Sequence, residues 1–368
     1  MAFVAMTSRL LLSVLPVLAA LAFPLRGADQ PPATSELTPL SAEAAKRAVD
    51  QLTSMDATTR RRAADAVVER GWKPGGKEEA LKLLETARSR QTTAVEAVVK
   101  RGAPGLARLK EAHDDWAEAT KALMELIKTD YKKAPAKIAM LTKEHAAVDR
   151  LRKSMDRGLA AAEAAWKPLG AATDSLNELD RAAARIKSPG ATFGAKPPEE
   201  LLKDMASAEA VLEGWGILAA RKAEAALQKT VFEHNKASKW APKSVLEFAG
   251  ILNDKRAAVG LPPLRLDERL SSAALDHSKE MQDMGYFSHE SPVDANKWPD
   301  DRAKNANFEG RFTGENIAMG QQDAKTVYDG WWGSDGHRFI MYASDPNTLG
   351  AGQFGRYWTM MTGDKKWE

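Results

Sequence analysis

An all-α helical hairpin or bundle followed by an α+β C-terminal domain is the fold class this chain predicts, and three observations predict it. From Ser41 to about residue 240, alanine, glutamate, lysine, arginine and leucine dominate, with apolar residues at three- and four-residue steps. That is the period of helices burying one side. Beyond Ser244, two helical stripes give way to glycine-rich segments and short β-type runs around Ile317 and from Leu349 to Thr362. The charge changes at the same place: the net +3 of the 368 residues is +8 before Ser244 and −5 from it onward. A basic part and an acidic part imply different jobs, or an electrostatic contact between them.

Composition narrows the function classes. A 44% hydrophobic and 28% charged chain is globular rather than disordered, and long enough for two domains. The basic excess is too mild for nucleic acid, which requires a dense basic face. There is no cysteine, so disulfides, thiolate metal sites and a cysteine-linked lipid anchor are excluded.

In chain order, residues 1–28 read as an export signal: Arg9 is the positive start and Leu10 to Phe23 a short apolar run interrupted by Pro16. A spanning helix needs about 20 apolar residues, so no stable membrane span is expected after cleavage near Gly27 and Ala28, where Leu25 departs from the small-residue rule. An uncleaved signal anchor is the alternative. Exported yet free of disulfides, the protein is expected to be secreted or periplasmic, at a bacterial envelope. Residues 29–40 are a Pro/Ser/Thr-rich flexible leader, and 41–187 a helical region. Its stripes are Leu106, Leu109, His113, Trp116, Thr120, Leu123 and Ile127, then Ile138, Leu141, His145, Val148, Leu151 and Met155 after a break at Pro135. They predict facing helices. An echo of Ala66–Gly71 in Ala97–Gly102 predicts two helix ends closed by glycine. Residues 188–198 are a linker, 199–243 a connecting helix and 244–364 the last domain. That domain opens with a helix bearing Val245, Phe248, Ile251 and Leu252 and ending at Gly260, with Asn253 and Arg256 beyond the stripe. A second helix, capped by Asp267, places Leu270, Ala273, Ala274, His277, Met281 and Met284 on one face, and a further helix is expected from Ala324 to Trp332.

Six strings follow one another here: LNDKRAAVGLPPL, ALDHSKEMQDMGYFSHESP, Asp301-Arg302, GENIAMG, WWGSDGHRFIM and LGAGQFGRYWTMMTG. In this order and spacing the segment from Ser244 to Asp364 resembles the CAP superfamily (the SCP domain of cysteine-rich secretory, antigen 5 and pathogenesis-related proteins), especially its cysteine-free bacterial branch. The resemblance implies an α-β-α sandwich with a surface cleft lined by two histidines and two glutamates. His289, Glu315 and His337 match three of these, and Ser334 stands where the second glutamate would fall. One carboxylate is thereby lost, which weakens schemes needing a carboxylate pair.

Two imidazoles and a carboxylate suit a divalent metal, Zn²⁺ foremost, with His289, His337 and Glu315 as ligands. Alternatively Glu315 orients an imidazole by accepting its N–H, or the three groups form a structural hydrogen-bond network with no cofactor. A Ser334–His337–Glu315 nucleophile triad is conceivable by spacing, but Gly336 is expected to end the helix and Trp332 stands where a nucleophile elbow needs glycine. Trp331, Trp332, Tyr342, Phe354, Tyr357 and Trp358 are expected mostly in the core, with one or two lining the cleft. The favoured expectation is a non-enzymatic, extracytoplasmic module binding a small apolar or peptide-like ligand, as the resemblance implies. The alternatives are a metal-assisted hydrolase of peptide or ester bonds with Glu315 as base, and an envelope scaffold in which the helical region oligomerises.

Overall fold

The structure is a computed structural model and describes residues 37–131, 134–190, 192–196, 200–201 and 208–367. The export signal, most of the leader and residues 202–207 of the connecting helix lie outside the described residues. Contacts group the chain into two units that no single cut separates: residues 1–111 with 157–219, and 112–156 with 220–368.

In the first unit, α1 (Ala42–Leu52) and α2 (Ala57–Gly71) pack on the start of α3 (Lys77–Ile127) and the end of α4 (Pro135–Lys187). Ser41 and Asp56 cap α1 and α2 by accepting from Ala44 N and Thr59 N, which satisfies donors a helix start leaves open. Leu52, Val68, Leu84, Leu179 and Ile186 form the core. The buried Arg60 pairs with Glu178 at 2.8 Å and donates to Ser54 O and Met55 O. The glycine echo marks one helix end, not two: α2 ends at Gly71, with Trp72 after it still right-handed rather than in the left-handed cap, whereas Gly102 lies inside α3.

The second unit holds most of the predicted stripes. Leu106 and Leu109 belong to the first unit, whereas Trp116, Leu123, Ile127, Leu141, Val148 and Met155 are buried in the second. Helix α5 (Ala208–Ala237) leads to α6 (Lys243–Ala258), strand β1 (Arg265–Leu266) and α7 (Glu268–Met284). Next come the short α8 (Pro299–Asn305), β2 (Arg311–Met319), α9 (Ala324–Trp332), α10 (Asp335–Met341), β3 (Thr348–Phe354) and β4 (Tyr357–Asp364). The sheet order is β1-β3-β4-β2, with β1 parallel to β3 and the other pairs antiparallel. Strand β2 is therefore an edge.

Alternation along β4 builds the sandwich. Met361 packs with Leu270, Ala273 and Ala274 of α7, and Thr359 Oγ1 meets Ser278 of α7 at 2.9 Å. Trp358 points the other way, onto Phe248 of α6, which also meets Trp331 of α9. The expected α-β-α sandwich is thus present. Helix α7 lies so close to β3 that a Cβ on Gly352 would fall 2.3 Å from the Leu275 backbone, and one on Gly350 2.5 Å from Leu270 O. Two glycines set that layer spacing.

Several expectations change. Arg256 is fully buried rather than beyond the stripe, and donates to Pro262 O, Met341 O and Ala343 O. Its fork satisfies loop carbonyls that no strand or helix uses, and burial pushes its pKa down to about 10. Asn253 bridges Leu264 N and O. Met284, at the end of its stripe, is 53% exposed. Asp267 caps α7 and Gly285 closes it left-handed, as the pattern predicts. Gly336 does not end a helix: it lies inside α10, and Ser334 is the residue just before that helix. Among the described residues no helix is long and apolar enough to cross a membrane.

His145 is buried, its Nε2 3.1 Å from Lys255 O and 3.0 Å from the Tyr342 hydroxyl. Burial, and then the Lys255 charge, lower its pKa from 6.5 to about 4. The unfolded chain takes up this proton near pH 6.5 and the folded chain only near pH 4. Stability is therefore complete above pH 6.5 and falls toward pH 4, by about 3 kcal/mol. Urea midpoints measured from pH 7 to pH 4 should show the fall, and His145→Gln should flatten it; parallel curves would refute the assignment. Gly352→Ala should destabilise by about 3 kcal/mol through overpacking against α7, read by the same melts.

Candidate functional site

The site forms at the free edge of β2. Alternation sets the two neighbours Glu315 and Asn316 on opposite faces of the sheet. Glu315 faces the α7 side, paired in register with Met361, and Asn316 faces α10, donating from Nδ2 to His337 O at 3.0 Å. The loop after α7 carries His289 toward the same edge, and α10 carries His337.

Glu315 is buried and doubly engaged. Its Oε1 lies 2.8 Å from His289 Nδ1, and Arg302 Nη2 lies 2.9 and 2.7 Å from Oε1 and Oε2. A carboxylate accepts, so Nδ1 of His289 carries the proton and Nε2 is the remaining ring nitrogen. Arg302 comes from α8, which Pro299 starts at a first-turn position that needs no N–H. From there the guanidinium also donates to His289 O at 3.1 Å and Asn296 O at 2.8 Å. One arginine thus ties the strand to both ends of the loop.

A second carboxylate holds the loop from the other side. Glu280 accepts from the Tyr286 hydroxyl, from Ser291 Oγ and from Asn296 Nδ2. Burial would raise its pKa, but these hydrogen bonds outweigh it and keep it below the usual glutamate range. His277 is buried on α7, as its stripe predicts, with Nε2 3.1 Å from Ser288 O. Burial pushes its pKa below the ordinary imidazole value, Glu315 opposing and Arg302 adding to the fall.

What results is a cleft of about 450 Å³ lined by Phe287, Ser288, His289, Glu290, Trp298, Ile317 and His337. Phe287 and Trp298 are each about half exposed, so the cleft has apolar lips and polar walls. The structure brings His289 and His337 into one cleft and sets Glu315 behind His289. Ser334 is not among the lining residues, and its side chain makes no cap bond to α10. With Glu315 committed to Arg302 and His289, the spacing-based Ser334–His337–Glu315 triad is not assembled. Trp331, Trp332, Tyr342 and Trp358 are core residues, and the cleft aromatics come instead from the loop. Sequence reasoning missed Arg302, Glu280, Phe287 and Trp298. The proline-initiated turn beside Asp301-Arg302 was the available signal for the first.

Among the described residues no group of three or more His, Asp or Glu side chains stands ready to hold a metal ion. Glu315 in particular faces a guanidinium, a poor arrangement for a direct ligand, so a His289–Glu315–His337 coordination set does not fit. Its bond to His289 Nδ1 matches instead the outer role in which a carboxylate orients a histidine.

Residues 250–352 match the family model described as CAP, the cysteine-rich secretory protein family. The chain is 32% identical over 158 residues to the uncharacterized protein YkwD of Bacillus subtilis (strain 168), covering 38% of this chain and 61% of that one. It is 32% identical over 117 residues to the uncharacterized membrane protein YlbC of the same organism, covering 32% of each. Among solved structures it is similar to an extracellular SCP-domain protein of Bacillus anthracis str. Ames, at 31% identity and a TM-score of 0.31, covering 32% of this chain and 39% of that one. The chain therefore spans less than two thirds of each of these relatives.

Removing the arginine tests how the site is held. Arg302→Met leaves Glu315 buried without its counter-charge and should cost about 3–5 kcal/mol in chemical denaturation. Adding Glu315→Gln should recover part of that loss. A single variant as stable as the parent would contradict the buried pair.

Proposed function

From a chain whose C-terminal third is a CAP domain, we propose an exported, extracytoplasmic binding module whose cleft takes a small apolar or peptide-like ligand. The observation that carries this is the composition of the cleft: Phe287, Trp298 and Ile317 offer apolar area, while His289 and His337 supply polar groups to orient the ligand. Concave, mostly apolar sites with a few placed polar groups are the usual form of small-ligand pockets. Glu315 is engaged by Arg302 and His289 rather than poised as a base, which favours binding over hydrolysis. Export is supported by the short apolar run after Arg9.

A second reading is favoured by one observation, the Glu315 bond to His289 Nδ1. It leaves Nε2 oriented by a carboxylate, so Nε2 and His337 would hold a divalent cation between them, zinc being one of the ions that imidazole suits. Glu315 then acts from behind, and the remaining positions fall to solvent or ligand.

Palmitate and an N-acetylated hydrophobic dipeptide, titrated separately into the full chain, should saturably shift the amide resonances of Phe287, His289 and Trp298. Trp298→Ala should weaken the binding about tenfold. No shift with either compound would sink the binding reading. Zinc alone should bind one-to-one by calorimetry and fail to bind His289→Ala/His337→Ala; heat equal in both proteins would remove the second reading.

A further inference from the structure

Helix α10 is seven residues long, too short to hold its own shape or place without outside contacts. What holds it comes largely from the bend between α3 and α4. Arg338 has no exposed surface, and its Nε donates to Ile127 O at 3.0 Å and its Nη2 to Thr129 O at 3.1 Å. The first is a carbonyl that the end of α3 leaves open and the second lies two residues beyond it, and a cation at that helix end is favoured by the helix dipole. The same guanidinium donates to Trp332 O and pairs with Asp335. Asp335 in turn accepts from Tyr131 N at 3.1 Å. Just outside α10, Trp332 Nε1 donates to Thr142 Oγ1 at 2.8 Å, and the Tyr342 hydroxyl meets His145 at 3.0 Å. The start, the middle and both flanks of α10 are thereby tied to residues 127–145. His337 sits between Asp335 and Arg338, with its carbonyl on Asn316 and its side chain in the cleft.

We propose that the bend between the two long helices is the positioning element of the cleft: through Arg338, Asp335 and Trp332 it places α10, and so decides where His337 stands across from His289. The inference rests on the cleft being the binding site. Arg338 and Asp335 are positioning residues on this view, and the helical hairpin governs whether the cleft is formed. A C-terminal fragment starting near residue 240 lacks every one of these partners, so its cleft would not represent that of the full chain.

The test uses the full chain, altered only on the hairpin side. Tyr131→Ala/Thr142→Val removes the ring beside Arg338 and the hydroxyl that accepts from Trp332. Hydrogen exchange of residues 335–341 should quicken about tenfold while β3 and β4 keep their protection, and the imidazole ¹H–¹⁵N signature of His337 should shift. Thr142→Val alone, nearly isosteric, should give a smaller effect of the same kind if the double variant does not fold, and Thr142→Ser, which keeps the hydroxyl, should restore the parent behaviour. Unchanged exchange in 335–341, or a rise equal to that in β3 and β4, would overturn the proposal. These readouts need no ligand, so a parent that binds neither palmitate nor the dipeptide removes the binding function, while the exchange rates still decide whether the hairpin positions α10. A double variant with a shifted His337 that still binds palmitate as tightly as the parent would also overturn it.

Discussion

The Arg302–Glu315 ion pair is the constraint on which the cleft depends. Both side chains are almost completely buried, and two buried charges are costly to desolvate unless every lone pair and proton finds a partner. Here the carboxylate is shared between Arg302 and His289, and the arginine's two terminal nitrogens also donate to His289 O and Asn296 O, while its Nε is buried without a partner. The pair gives up stability relative to an apolar core. In return it fixes a loop that has no regular structure apart from a short 3-10 turn at Asp294–Asn296. With the loop fixed, Phe287 and Trp298 become cleft walls rather than mobile surface.

The edge position of β2 explains why the cleft is there. An inner strand would have neighbours on both sides, and the two layers of helices could not meet around it. At the edge, a loop from the α7 layer and a helix from the opposite layer converge on Glu315, Asn316 and Ile317. Glycines at 350 and 352 let α7 sit close on the sheet, which brings Glu280 and His277 near the base of the loop. Packing, strand order and site chemistry are therefore one problem. A change in the layer spacing would alter the loop anchors before it touched a cleft residue.

Buried arginines recur as the joining device in the second unit. Arg256, Arg302 and Arg338 are each buried and each donates to two or more backbone carbonyls in loops or at helix ends. A guanidinium can satisfy several acceptors at once because its donors point in fixed, divergent directions. That property suits a domain in which several loops, having no partner strands, would otherwise bury carbonyls unpaired.

Much of this was legible in the sequence, for physical reasons. Helix periods, the Asp267 cap, the Gly285 closure and the Ala324–Trp332 helix are local, so they follow from residues a few positions apart. The family resemblance, carried by motifs whose residues and order are written directly in the chain, singled out His289, Glu315 and His337. What the tertiary structure alone decided is who partners whom. Arg256 and Arg302 read as ordinary charged residues until loops distant in sequence bring carbonyls or a carboxylate to them. Glu315 read equally well as ligand, base or orienting group until Arg302 occupied it. Composition separated a helical part from an α+β part near residue 243, yet residues 112–156 pack with the latter. A hairpin's apolar stripe shows that a face is buried, and only long-range packing says against what.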